Sequence, residues 1–154
     1  MDLDDLEILK TAEGLADAIW RDVVKWDHFA KDTMGQQLAR AADSIGANIA
    51  EAFGRYHFGD KLRFLYYSRG SIYETKFWLN RAMQRQLLRD KEVGDCLANL
   101  TRLAKQLNAL VAVTRKQQSS SKGIKEAAEA YITEDDLFSH EDLDYLSRLE
   151  TTAR

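Results

Sequence analysis

Not one proline interrupts the 154 residues of this chain, and that absence narrows its possible folds more than any other feature. Proline breaks helix interiors and is common in loops, so a chain without it is free to build long uninterrupted helices. The apolar pattern uses that freedom. Val93, Leu97, Leu100, Ala104, Leu107, Val111 and Thr114 alternate four- and three-residue spacing, which predicts a helix over about 91–117 with Asp90 as its cap. Cys96, Leu103 and Leu110 widen the stripe beyond a two-stranded seam, as suits a bundle. Similar spacing of Leu9, Ala12, Ala16, Ile19, Trp20 and Val23 predicts a helix over 5–26, with Asp4 or Asp5 capping it. Residues 27–34 lose the period and read as a loop. Leu38, Ala42, Ile45, Ile49 and Phe53 then mark a helix over about 35–55. On it Ala39, Ala42, Gly46 and Ala50 form a strip of small residues that would let another helix approach closely.

The stretch from about 60 to 88, with Asp60 as a candidate cap, is apolar on two sides. Phe64, Leu65, Ser68, Ile72, Leu79, Ala82 and Met83 cluster on one, taken as the core. Leu62, Tyr66, Gly70, Tyr73, Phe77 and Leu88 occupy the other. A helix apolar on two sides must bury both. If one side faces a bundle core, the second is expected to meet another subunit, so Leu62, Tyr66, Gly70, Tyr73 and Phe77 are the expected oligomer interface.

Four helices joined by connections of a few residues predict an all-α, antiparallel up-down-up-down four-helix bundle over residues 1–117. A flexible linker is expected at 118–123, then an acidic, partly helical tail over 124–154. In that tail Glu126 to Ile132 form one candidate short helix. Ser139 followed by Asp142, Leu143, Leu146 and Leu149 marks another, with Ser139 as cap. The tail either docks back or stays mobile.

Charge is distributed unevenly along the chain. Residues 1–30 hold 3 Lys/Arg against 8 Asp/Glu, residues 31–122 hold 16 against 8, and residues 123–154 hold 3 against 9. A basic middle lies between acidic ends, and the overall charge of −3 conceals it. The single cysteine, Cys96, excludes an internal disulfide and fits a reducing compartment. The N-terminus is acidic where a secretory signal would be basic and then apolar. No apolar run approaches the ~20 residues of a membrane span. A cytoplasmic protein without membrane contact is expected. His28, His57 and His140 have no second ligand at helical spacing, so neither metal nor cofactor is expected. Nothing resembles a nucleophile with its base, and no enzyme is expected.

The segment Gln37-Leu38-Ala39-Arg40-Ala41-Ala42-Asp43-Ser44-Ile45-Gly46-Ala47-Asn48-Ile49-Ala50-Glu51-Ala52-Phe53-Gly54-Arg55 carries a resemblance. It is followed by Phe64-Leu65, Ser68, Gly70-Ser71 and Glu74. Together they resemble the four-helix-bundle proteins encoded in intervening sequences of bacterial 23S ribosomal RNA genes, over about residues 5–117. Ala39 stands where arginine is common in that family, Gly46 where proline is, Ala52 where glycine is, and Ser68 where alanine is. The resemblance implies a bundle that assembles into a ring, often a pentamer. The chain is also similar to accessory subunits of diversity-generating retroelements, which implies contact with reverse transcriptase and RNA. Neither likeness implies enzymatic activity.

Three groups of side chains follow as candidates. Arg55, Lys61, Arg63, Arg81, Arg85 and Arg89 form the expected nucleic-acid surface, with tyrosines among them to stack on unpaired bases. Arg63, Arg81 and Arg85 share one flank of their helix, beside Tyr67. Ser44 and Asn48, one turn apart, are expected to bond across to Glu74 in a structural polar network that fixes helix register. Two functions stay open: a homo-oligomer that binds structured RNA, or an interaction scaffold whose ring surface or acidic tail engages a partner protein. In the second, or with nucleic acid competing for the basic surface, the tail becomes the deciding segment.

Overall fold

The computed structural model describes residues 6–121 and 136–150. Helix α1 spans Glu7–Val23, α2 is a three-residue turn His28–Ala30, and α3 spans Gln36–Gly54. Helix α4 spans Phe58–Gln84, α5 Asp90–Ser121 and α6 His140–Ser147. All regular structure among the described residues is helical.

Residues 27–34 are not the loop their lost periodicity suggested. The Asp27 carboxylate accepts from the Ala30 amide at 3.0 Å and starts α2. A π-helical turn over Lys31–Gly35 then leads without a break into α3. The wider turn buries the adjacent residues Met34 and Gly35 together. Gly35 permits this close approach, because a Cβ would lie 2.9 Å from Val23 Cγ1 and force a shift.

Helices α1, α3, α4 and α5 pack in a closed circuit, each against its two neighbours. Their inner faces are mainly apolar, with Ile19, Leu38, Ile45, Ile49, Leu65, Ile72, Leu79, Leu97, Leu100 and Leu107 all within 1% of zero exposure. On α4 the expected core residues Leu65, Ser68, Ile72, Leu79 and Ala82 are buried, and Phe64 and Met83 are half-buried against them. Helix α4 starts at Phe58 after His57, which makes no side-chain cap, and Asp60 sits inside its first turn. It ends with Gln86 at φ 60°, where the Leu87 amide reaches back to the Ala82 carbonyl at 2.9 Å, a left-handed helix stop. The N-terminal turn of α5 is stabilised by Glu92, which accepts from the Arg89 amide at 2.9 Å, rather than by Asp90. Helix α5 also runs to Ser121, into the stretch 118–123 expected to be linker. Ser119 and Ser120 donate to the carbonyls of Arg115 and Lys116 one turn back, so these serines stay within the helix. The start proposed at Asp4 or Asp5 and the helix proposed over Glu126 to Ile132 lie outside the described residues.

The expected up-down-up-down four-helix bundle is corrected by α6. Residues 136–150 lie along α5 and α4 as a C-terminal strap, and α6 is a fifth helix of the packed body. Leu137, Phe138 and Leu146 are buried as deeply as the circuit's own core. Ser139 and Asp142 form a reciprocal capping box that starts α6. Of the two fates left open for the tail, residues 136–150 take the first and dock back, with the helix expected after Ser139 in place.

Candidate nucleic-acid interface

The six cations expected to form one surface are divided by the fold between the two ends of α4. Arg63 and Arg81 share a face but stand 18 residues apart, about 27 Å at the helical rise. Arg55, Lys61 and Arg63 gather at the α3–α4 corner, and Arg81, Arg85 and Arg89 lie at the opposite end.

At the α3–α4 corner the cations interleave with rings. The Arg55 guanidinium lies 4.6 Å over the centroid of Phe64, and Lys61 Nζ lies 5.4 Å over Phe58. Phe64 meets Tyr67 edge to face at 5.4 Å, and Tyr56 meets His57 edge to face at 5.2 Å. Tyr56 is 90% exposed, and Tyr67 and Phe53 are also exposed. The break between α3 and α4 is what turns these rings outward: Arg55 is extended, at φ −84° and ψ 135°. An apolar cavity of about 440 Å³ opens at the same corner, lined in part by Phe53, Lys61, Leu110 and Val113. Carboxylates temper the charge. Arg55 pairs with Glu51, and Arg63 lies 3.6 Å from Asp60. Tyrosines were expected among these cations, but His57, Phe58 and Phe64 were not named with them. Their clustering at a helix break was the available signal.

The opposite end is built differently. Arg89 forms a short pair with Glu92, 2.6 Å, and Glu92 is held below the usual carboxylate range by hydrogen bonds from Arg89. Arg85 donates to Met34 Sδ at 3.4 Å. Arg81 is half-buried. Among the described residues, this end has no comparable run of cations lying on rings.

The polar network also takes a different partner. Asn48 donates to the Ser44 carbonyl at 2.9 Å and reaches Ser71 Oγ at 3.5 Å. Glu74 points elsewhere, accepting from Trp78 Nε1 at 3.4 Å on the exposed side. Ser68, fully buried, crosses from α4 to the Ile45 carbonyl of α3 at 3.0 Å. Serines of α4, rather than Glu74, thus make the contacts to α3.

Of the expected oligomer interface, Tyr66 (45% exposed), Phe77 (54%) and Gly70 remain on the surface. The Tyr66 hydroxyl accepts from Arg115 at 2.7 Å. Leu62 is half-buried against the core. Tyr73 is covered by the chain's own strap, its ring stacked on Phe138 at 5.8 Å and on Tyr145 at 6.1 Å. Its hydroxyl donates to Asp142. Burial, and then that bond, push the Tyr73 phenol up to about 12.

Cys96 is buried, and burial pushes its thiol up to about 12, so it is a packing residue with no thiolate at neutral pH. Among the described residues no group of three or more His, Cys, Asp or Glu converges to hold a metal ion. No described helix is long and apolar enough to cross a membrane.

A search of curated proteins finds no match to this chain. A protein-family match does exist, and it covers α1 through most of α5 while leaving out the strap: the chain matches over residues 4–109 and belongs to the 23S rRNA-intervening sequence protein family.

Proposed function

We propose that this chain is a non-catalytic RNA-binding protein that works as a homo-oligomer, and that its RNA contact is the α3–α4 corner. The observation that carries this reading is the interleaving of Arg55 and Lys61 with Phe64 and Phe58 beside the exposed rings of Tyr56 and Tyr67. Cations laid across aromatic faces hold phosphates while leaving neighbouring rings free to stack on unpaired bases. Membership of a family named for an rRNA intervening sequence is consistent with an RNA ligand. Tyr66, Gly70 and Phe77 supply the surface for self-association, and repetition of the corner around an assembly would multiply its field.

Binding of the full chain to a structured RNA, followed by fluorescence anisotropy at roughly 50 and 200 mM salt, tests this. Six or more phosphate contacts across an assembly would lower affinity about 10³-fold or more between those salts. Replacing Arg55 and Lys61 with alanine should weaken binding more than replacing Arg81 and Arg85. Equal loss from both pairs, or no binding at the lower salt, would overturn the assignment. In the latter case the scaffold reading takes its place, with a partner protein such as reverse transcriptase as ligand. The specific support for that alternative is the strap, an acidic segment held on its own chain by contacts to main-chain carbonyls and amides.

A further inference from the structure

The groove that holds the strap reads its backbone. Asn108 on α5 uses both halves of its amide on one residue, donating to the Phe138 carbonyl at 2.8 Å and accepting from the Phe138 amide at 2.7 Å. Arg69 on α4 donates to the Leu137 carbonyl at 2.7 Å, and Lys76 Nζ donates to the Arg148 carbonyl at 2.7 Å. Between these fixed points the groove takes up the side chains of Leu137, Phe138 and Leu146. The Phe138 ring is stacked on Tyr73 with Arg69 over it at 5.3 Å. Charge matches as well. Arg69 and Lys76 line the receiving side, while the strap carries Asp136, Glu141, Asp142, Asp144 and Glu150 against Arg148. Arg69 also lies 3.9 Å from Asp142.

These are the features of a peptide site: burial of a few apolar side chains, and side-chain donors and acceptors aimed at main-chain groups. Lys76 makes the point most sharply. It is 1% exposed, and it has the Arg148 carbonyl and the Tyr145 ring, 4.5 Å away, as its partners in the strap. A buried lysine of this kind adds little to stability and is most useful where it selects an occupant.

Covalent geometry does not tie the strap to its own groove. Residues 122–135 connect α5 to it, and fourteen extended residues reach about 45–50 Å. Asn108 lies 13 residues before Ser121, only about 20 Å back along α5. The connection is more than twice the length that docking on its own body requires. Tyr66, Gly70 and Phe77, the surface proposed for self-association, lie on α4 beside the groove residues Arg69, Tyr73 and Lys76.

We propose that the α4–α5 groove is a peptide-recognition site with an exchangeable occupant, and that in an assembly it receives residues 136–150 of a second copy. The proposal rests on the self-association proposed above for the supply of a neighbour; the groove's chemistry stands without it. A strap in cis has an effective concentration in the millimolar range, so a free peptide competes poorly until the resident strap is weakened.

The experiment uses full-length chains and a fluorescein-labelled synthetic peptide of residues 136–150. The Phe138→Ala chain has an intact groove and a weakened strap, and it should bind the peptide at least ~10-fold more tightly than the unmodified chain. Adding Asn108→Ala to that chain should weaken binding about 5- to 150-fold. Phe138→Ala and Asn108→Ala chains are then mixed, one offering a groove and the other a strap. Hydrogen exchange should show protection returning to residues 137–146 of the Asn108→Ala partner. Peptide binding without that return would overturn the second copy as occupant while leaving the groove. No peptide binding to the Phe138→Ala chain, with helicity retained, would overturn the groove itself. Should Phe138→Ala lose helicity beyond α6, Tyr145→Ala at the rim serves as the weakened strap, with the same outcomes decisive.

Discussion

Helix α4 is held on two sides by opposite kinds of chemistry. Toward α3 and α5 it presents Leu65, Ile72, Leu79 and Ala82, all at most 1% exposed, joined by short serine contacts. Toward the strap it presents Arg69, Tyr73 and Lys76, which bind through rings, carbonyls and a carboxylate. Apolar packing is non-directional and accepts any occupant of suitable volume, whereas directed polar contacts fix which segment fits and in which register. The difference teaches that one helix can serve both as a permanent wall of a core and as one bank of a selective groove.

The comparison breaks if both sides respond alike to truncation. Leu79→Ala should cost about 2–5 kcal/mol of global stability, read as a lower denaturant midpoint for the whole chain. Phe138→Ala removes a comparable apolar contact, about 3–5 kcal/mol of local docking energy, yet its effect should stay local. Hydrogen exchange should lose protection over 137–146 and keep it at Leu79 and Leu100. A parallel fall in global stability would show that the strap belongs to the core. Asn108→Ala strands the Phe138 amide and carbonyl and should weaken docking by about 1–3 kcal/mol, again with the circuit intact.

Two smaller effects sharpen the polar side. Burial holds the Lys76 ammonium below its ordinary pKa. Lys76→Met should therefore leave thermal stability unchanged or raise it, because a buried charge is exchanged for an apolar chain of similar size. A clear loss would assign the lysine a net stabilising role. Asp142 is held below its ordinary value near 3.8, first by the Tyr73 hydroxyl and then by the Ser139 amide, with Arg69 nearby. A depressed carboxylate contributes stability above the unfolded pKa and loses it as pH falls through the folded one. The strap should thus loosen below about pH 4, ahead of the circuit, when exchange protection is followed from pH 5 to 2.

The sequence made the apolar wall legible and left the groove nearly invisible. Three- and four-residue spacing located α1, α3, α4 and α5, because burial of one face imposes that period. Lys76 shows the limit of the method. A lysine between Thr75 and Phe77 reads as solvent-facing, and only the strap's arrival makes it one of the most buried side chains in the molecule. Asn108 likewise falls outside the apolar stripe of α5, so no period marks it. Doubly apolar α4 did demand a second partner, and Tyr73 was among the residues that signalled it. That the partner at Tyr73 is the chain's own C-terminal strap depends on contacts some 70 residues apart. Of the six cations grouped by sequence, Arg55, Lys61 and Arg63 lie at the α3–α4 corner, and the break at Arg55 had to be placed before His57 and Phe58 could be grouped with Phe64.

The π-helical turn at Lys31–Gly35 has a consequence for how the chain tolerates changes in length. One additional residue in a helical turn rotates everything beyond it by about 100°. Asp27 and Ala30 on one side, and Leu38 and Ile45 on the other, are thus set in phase by residue count rather than by slack. Deleting a single residue between 31 and 35 would close the turn to ordinary α pitch and swing the end of α1 around the axis of α3. The junction behaves like a keyed coupling: it transmits the orientation of one helix to the next, and it fits in one angular position.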